Sequence, residues 1–181
     1  MTRTPPRRDN APPARPPRPV TTAYLERAAL AYLERYACSV ETLARALRRK
    51  VERRCRLIGE DAEPLLGLVD EVVEKARQSG LVDDRRFAEG RTASLRRRGG
   101  SARAIGAKLA AKGVDREVIA AALAGEEGDE LAAAHALARR RKLGPYRAGE
   151  RASFRQKDLA ALARAGFAFG IAREVIDSDP V

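Results

Sequence analysis

Residues 101–123, SARAIGAKLAAKGVDREVIAAAL, spell a helix, a turn and a second helix, and residues 162–176, LARAGFAFGIAREVI, repeat the same offsets. Leu109 is followed by Gly113 at +4, Val114 at +5, Val118 at +9 and Leu123 at +14; Leu162 is followed by Gly166, Phe167, Ile171 and Ile176 at those distances. Each unit ends a helix on glycine, turns on one apolar residue and restarts with its apolar face in register. This pattern predicts that Leu109, Val114, Val118 and Leu123 are buried in one unit, and Leu162, Phe167, Ile171 and Ile176 in the other. A unit this small buries little alone, so tandem copies packed on their neighbours are the expected solution.

Outward from the repeat, the chain reads as helices throughout. Thr21 or Thr22 caps a first helix that carries Leu25, Ala28, Ala29, Tyr32, Leu33 and Tyr36 and stops near Cys38. Ser39 caps a second, with Glu41 in its first turn and Val40, Leu43, Leu47 and Val51 on one face. Lys50 and Arg54 fall toward that apolar face, so either they snorkel or the helix bends or breaks before LIGEDAEP. Pro64 suits the first turn of a third helix, with Leu65, Leu66, Val69, Val72, Val73 and Ala76 inward. Asp83 or Asp84 caps a fourth through Phe87 and Leu95 to RRRGG; Ser101 caps the fifth and Asp115 the sixth, which runs to Gly125. Further helices are expected from about Asp129 to Lys142, Ser153 to Gly166 and Phe169 to Asp177, with LGPYRAGE as a loop. The expected fold is all-α, nine helices in three sets: residues 21–81, 82–125 and 126–181. Residues 1–20, rich in Pro and Arg, read as a disordered basic tail.

Composition agrees. The chain is 44% apolar with no Trp, and cores of Ala, Leu and Val suit closely approaching helices. No apolar run is long enough to span a bilayer and the N-terminus lacks the apolar core of a signal peptide, so a cytoplasmic protein is expected, with no membrane partner. Thirty-six basic against twenty-five acidic residues give a net charge of +11, which points to a polyanionic partner. Cys38 and Cys55 lack metal or redox spacing and are expected as reduced, half-buried thiols. His135, the single histidine, has no nucleophile spaced to use it and reads as a helix-surface or interface residue. Asp83 and Asp84 read as a helix cap and an arginine partner rather than as paired catalytic carboxylates. No catalytic, metal or cofactor constellation is apparent, and a non-enzymatic regulator without a cofactor is expected.

SGLVDDRRFAEGR, the arginine-rich end of that helix, SARAIGAKLAAKGVDREVIAAAL and the closing LARAGFAFGIAREVI together resemble the RecX family of recombination regulators, over roughly residues 22 to 177. The resemblance implies three tandem three-helix modules in an elongated, curved right-handed array. It also implies a negative regulator, in DNA repair, homologous recombination and the SOS response, that lies in the groove of a RecA filament on single-stranded DNA. There it limits filament extension, ATPase, recombinase and co-protease activity. Gly90 stands mid-helix where family members usually carry a larger side chain, and RRRGG lacks the aromatic often found there.

Three basic clusters are the candidate filament and nucleic-acid contacts: Arg45, Arg49, Arg53 and Arg56; Arg96, Arg97, Arg98 and Arg103; and Arg139, Arg140 and Arg141, followed by Lys142. A solvated helix face explains any one arginine, and basic residues at helix C-termini also offset the dipole. Recurrence in all three sets favours a working surface. Phe87, Phe167 and Phe169 read as core or inter-repeat residues rather than stacking platforms, so affinity for naked nucleic acid is expected to be weak and sequence-independent. The chain is expected to act as a monomer. Two alternatives stay open: a helix-turn-helix DNA-binding protein, opposed by the few base-reading side chains in REVIAAALA, and a general nucleic-acid scaffold.

Overall fold

A computed structural model describes residues 19–124 and 127–179, so the tail through residue 18 and the expected stop at Gly125 lie outside the described residues. Within them every regular element is helical, nine α-helices in all, so the chain is all-α. They are α1 (Thr22–Leu33), α2 (Val40–Ile58), α3 (Leu66–Gln78), α4 (Asp84–Arg97), α5 (Ala102–Ala110), α6 (Arg116–Leu123), α7 (Glu127–Arg141), α8 (Arg155–Arg164) and α9 (Phe169–Asp177). Single 3-10 turns at Glu63–Leu65, Gly144–Tyr146 and Ala152–Phe154 lead between them: the first and third take up the residues where the third and eighth helices were expected to begin, at Pro64 and Ser153, and the second lies within the stretch expected to be plain loop.

The buried side chains fall into three separate hydrophobic clusters. Leu25, Leu43, Leu47, Val51 and Val69 centre the first, which α1, α2 and α3 enclose. Ala88, Leu95, Ile105, Leu109 and Val114 make the second, between α4, α5 and α6. Leu137, Leu162, Phe167, Val175 and Ile176 centre the third, between α7, α8 and α9. Ala133, Ala134 and Ala138 on α7 add nothing larger than a methyl, which lets neighbouring helices approach closely. Val20, read as part of the tail, packs into the first cluster, as does Val82.

Caps behave as their side chains dictate. Thr21, Ser39, Asp83, Ser101 and Asp115 each accept a hydrogen bond from a first-turn N–H. α2 runs unbroken for 19 residues, so Lys50 and Arg54 snorkel: their charged groups sit 5.8 and 5.5 Å from the centre of the Tyr24 ring.

Several expectations are corrected. α1 ends at Leu33 rather than near Cys38: Glu34 and Arg35 form a turn in which the Arg35 and Tyr36 N–H groups donate to the Tyr32 carbonyl, and Tyr36 is left outside the helix and exposed. Val118, Leu123 and Ile171 are half-buried instead of buried, since α6 lies at the rim of its cluster and Ile171 sits in the first turn of α9. Phe169, at the first position of α9, is 65% exposed rather than in a core. Both cysteines are buried rather than half-buried, and burial pushes both thiols above their ordinary range. His135 Nδ1 lies 3.0 Å from the Tyr146 hydroxyl and ties α7 to the following loop.

The clusters are joined by one device used twice. Ser39, the cap of α2, donates its hydroxyl to the Lys112 carbonyl at 2.5 Å, and Ser101, the cap of α5, donates to the Ala165 carbonyl at 2.7 Å. Lys112 and Ala165 each immediately precede a repeat glycine, Gly113 or Gly166. The residue after each cap donates its N–H to an acid on the first helix of the next set: Val40 to Asp84 at 2.8 Å, and Ala102 to both carboxylate oxygens of Glu130 at 3.1 and 3.0 Å. Orphan N–H groups at a helix start, with the positive end of the dipole, are thus satisfied by the neighbouring set. The glycines are needed here. A Cβ on Gly113, at φ +76°, would meet Glu41 Cβ at 2.5 Å, and one on Gly166, at φ +95°, would meet Ser101 Oγ at 2.6 Å. α8 starts without a side-chain cap, so the device stops at the third set.

Asp84 was expected to pair with arginine; it instead serves this joint, because the unpaired Val40 N–H at the start of α2 faces it. Burial raises its carboxyl pKa, the Val40 N–H opposing. A raised folded-state pKa means that the contribution of Asp84 to stability is full below the unfolded value of about 3.9 and is lost as pH rises through the folded one. Asp84→Asn keeps an acceptor toward Val40 and is expected to remove that loss. Urea unfolding between about pH 4 and pH 7 measures it; identical pH profiles for the two proteins would refute the assignment.

Candidate nucleic-acid interface

Consecutive residues on a helix point about 100° apart, so a run of arginines cannot act as one patch. Arg96 turns inward, 14% exposed at its side chain, and forms an ion pair with Glu130. Burial lowers its pKa, the Asp129 charge opposing. It braces the joint that Glu130 makes with Ala102. Arg97 points outward, and Arg98 lines a groove of about 360 Å³ together with Arg91, Lys108, Arg140 and Arg141. Arg140 also donates to the Arg98 carbonyl at 2.6 Å, which locks the end of α4 to α7. Gly99, at φ +78°, allows that approach, since a Cβ there would meet the Leu137 backbone nitrogen at 2.6 Å. Arg139 faces elsewhere, its guanidinium 5.1 Å from the centre of the Tyr146 ring. Arg103 is exposed at the start of α5, beside Gly166.

The α2 stripe divides in the same way. Arg45 pairs with Glu41 at 2.7 Å and donates to the Ala111 carbonyl at 3.2 Å, so it belongs to the joint with α5. Arg49, Arg53 and Arg56 are exposed and take part in no ion pair among the described residues. Arg49 acts on the Tyr32 hydroxyl, partly offsetting the rise that burial gives its pKa.

Tyr32 borders a second cleft, of about 440 Å³, between the first and second clusters. Tyr36, Phe87, Arg86, Arg91 and Lys112 line it as well. Arg91 borders both cavities, and neither lining includes an acid. The two cavities therefore form a basic track along α4, from Arg86 through Arg91 to Arg98, crossing both joints. Arg86, Arg91, Lys108 and Lys112 were not singled out by sequence reasoning, which weighted runs of arginine. For one pair the signal was helical spacing: Arg91 and Arg98 are seven residues apart, two turns on one face; Lys108, on α5, and Lys112, in the turn after it, reach the two cavities only through tertiary packing.

Comparison with known proteins gives this surface its context. A protein from Myxococcus xanthus (strain DK1622) named Regulatory protein RecX is 46% identical to this chain over 168 residues, covering 91% of the chain and 90% of that protein. The chain belongs to the RecX family. A Regulatory protein RecX from Agrobacterium fabrum (strain C58 / ATCC 33970) is 35% identical over 85% of the chain and 82% of its own length. One from Mycobacterium ulcerans (strain Agy99) is 38% identical over 59% of the chain and 63% of its own length. The family model described as RecX, second three-helix domain, matches residues 83–123, which are α4 to α6 with the Asp83 cap. No solved structure gives a significant match. For a RecX-family chain, a regulatory role follows from kinship with proteins so named. Among the described residues, no helix is long and apolar enough to cross a membrane, and no group of three or more His, Cys, Asp or Glu residues could hold a metal ion.

Proposed function

We propose that the chain is a non-enzymatic negative regulator of RecA that binds the RecA filament on single-stranded DNA and limits its extension, ATPase, recombinase and co-protease activity. The observation that carries this reading is the basic track: exposed cations on both sides of two joints, with no carboxylate in either lining to neutralise them. A phosphate backbone is the polyanion whose charges recur along such a path. The parts are proposed to be tandem modules at residues 21–81, 82–125 and 126–181, since the same joint recurs between successive sets; the curved right-handed form of the array is what the family resemblance implies. The protein acts as a cytoplasmic monomer. Arg49, Arg53, Arg56, Arg97, Arg98, Arg103, Arg139, Arg140 and Arg141 remain candidate contacts, joined by Arg91 and Lys108; Arg45 and Arg96 hold joints instead.

Affinity for bare strands is weak in this reading. Binding by phosphate contacts alone falls with salt with a log-log slope of about 0.7 per contact on single strands, so filament contacts must supplement it at physiological salt. The test is single-strand-dependent ATP hydrolysis by the cognate RecA with the pure chain at substoichiometric amounts. Suppression is expected, and replacing His135, Cys38 and Cys55 together by Ala leaves it intact, since no chemistry passes through them. Equal affinity for bare and RecA-coated strands would point to a general nucleic-acid scaffold, and a protected site on duplex DNA to a helix-turn-helix repressor.

A further inference from the structure

The cleft between the first and second clusters has more in it than phosphate contacts require. The chain has four Tyr and four Phe, and Tyr32, Tyr36 and Phe87, three of these eight, meet in this one place. Tyr36 follows the end of α1 and is 55% exposed; its ring rests on Tyr32 with centroids 5.1 Å apart. A ring so placed adds little to the core and presents a flat apolar surface to whatever enters.

The charged lining asks for a partner too. Arg86, Arg91 and Lys112 are exposed and take part in no ion pair among the described residues, whereas Arg45, Arg48, Arg77, Arg96, Arg147 and Arg155 are each paired with an acid. Gly90, on the cleft wall in mid-α4, has no positive φ and no atom within 4 Å of where a Cβ would stand. Glycine weakens a helix interior relative to alanine, and here no neighbour demands it. Its visible effect is to keep the cleft open. Flat rings, unneutralised cations and open space beside a backbone together match a ligand that is planar and anionic at once.

We propose that this cleft is a base slot: one unstacked base of a single strand lies against the Tyr36 and Phe87 rings while Arg86, Arg91 and Lys112 hold its flanking phosphates. Every base has a π-face, so the slot discriminates single strands from duplex without reading sequence. The inference rests on the proposed engagement of single-stranded DNA but not on RecA, and its test uses no RecA.

The experiment measures binding of the full chain to an oligothymidylate and to a fully abasic strand of the same length, by fluorescence anisotropy across a salt series. Base stacking on an aromatic side chain corresponds to about a fivefold to a hundredfold in affinity, so the abasic strand should bind weaker by that factor. Tyr36→Ala should erase most of the difference while leaving the salt slope unchanged, because it removes no charge. Gly90→Met, which fills the cleft from a position with room for it, should do the same and guards against a folding defect in the first variant; circular dichroism checks both. Equal affinity of the wild-type chain for the two strands overturns the slot. So does displacement of both strands alike by a poly-glutamate peptide with no base-dependent difference, which would mark the cleft as a reader of charge alone. Failure of RecA inhibition with the base dependence intact would sink the function proposed above and leave the slot standing.

Discussion

Replacing Arg91, Arg98 and Arg141 together by Glu is expected to lower affinity for bare single strands at least about fiftyfold at a salt concentration of about 0.15 M, and to abolish inhibition of RecA. Each phosphate contact releases about 0.7 counterion on a single strand, worth roughly a factor of four at that salt, and three lost contacts multiply to about fifty before any repulsion from the new carboxylates. The salt slope should fall by about two. Stability should fall only modestly, by about 1 to 2 kcal/mol: the three side chains are exposed and form no ion pair among the described residues, but new carboxylates at the C-terminal ends of α4 and α7 oppose the helix dipoles. The matched reversal is Arg49, Arg53 and Arg56, which changes net charge equally on the α2 face. If that variant loses more affinity than the groove variant, the working surface lies on α2 and the track along α4 is not the DNA path. Reversal of Arg45 is a poor test of binding, since its bonds to Glu41 and the Ala111 carbonyl hold a joint and its loss acts through structure.

The all-helical fold was legible because local chemistry and packing agree at nearly every element. Ser39, Asp83, Ser101 and Asp115 cap helices wherever a hydrophilic oxygen precedes an apolar stripe of helical period, and the buried Leu109 and Leu162 sit where the repeat puts them. What the offsets hid was the purpose of the glycine within them. Read along the chain, Gly113 and Gly166 terminate a helix; in space they are also where the preceding set docks, with Glu41 or Ser101 filling the room a Cβ would need. Nothing local to residue 113 encodes a contact with residue 41. The same long-range term divided the basic clusters. Arg96, Arg97 and Arg98 are adjacent in sequence, yet Glu130 claims the first, solvent the second and the groove the third, because helix rotation separates neighbours and tertiary contact decides their use. Lys108 and Arg91, isolated in sequence, join the groove only once α4, α5 and α7 are packed. Asp158 is a further case: buried, it accepts from the Gly144 N–H at 2.8 Å and pairs with Arg147 at 2.6 Å, which anchors a loop that composition alone left featureless.

Leu109→Ala is expected to destabilise the chain by about 2 to 5 kcal/mol, the range for truncating a buried leucine, and to lower the melting temperature by roughly 4 to 20 °C for a chain of this size. Leu109 is fully buried, and its cluster is the smallest of the three: five buried side chains among the described residues, against fifteen around α1 to α3 and eleven around α7 to α9. Little is left there to collapse into the space, so the cost belongs at the upper part of the range. The middle set also carries a half of each joint. The Leu109 carbonyl accepts from the Lys112 and Val114 N–H groups, which fixes the turn whose Lys112 carbonyl receives the Ser39 hydroxyl; Ser101, at the head of the same helix, reaches Ala165. Losing this core therefore releases both neighbours, whereas Leu162→Ala, in the third set, loosens one joint. Amide hydrogen exchange separates the cases. In the Leu109 variant, protection should fall first in α4 to α6 and next at the start of α2, where the Val40 N–H loses Asp84. In the Leu162 variant, α1 to α3 should keep their protection. Equal loss in both variants across all nine helices would mean that the chain unfolds as one unit, with no weak middle and no separable joints.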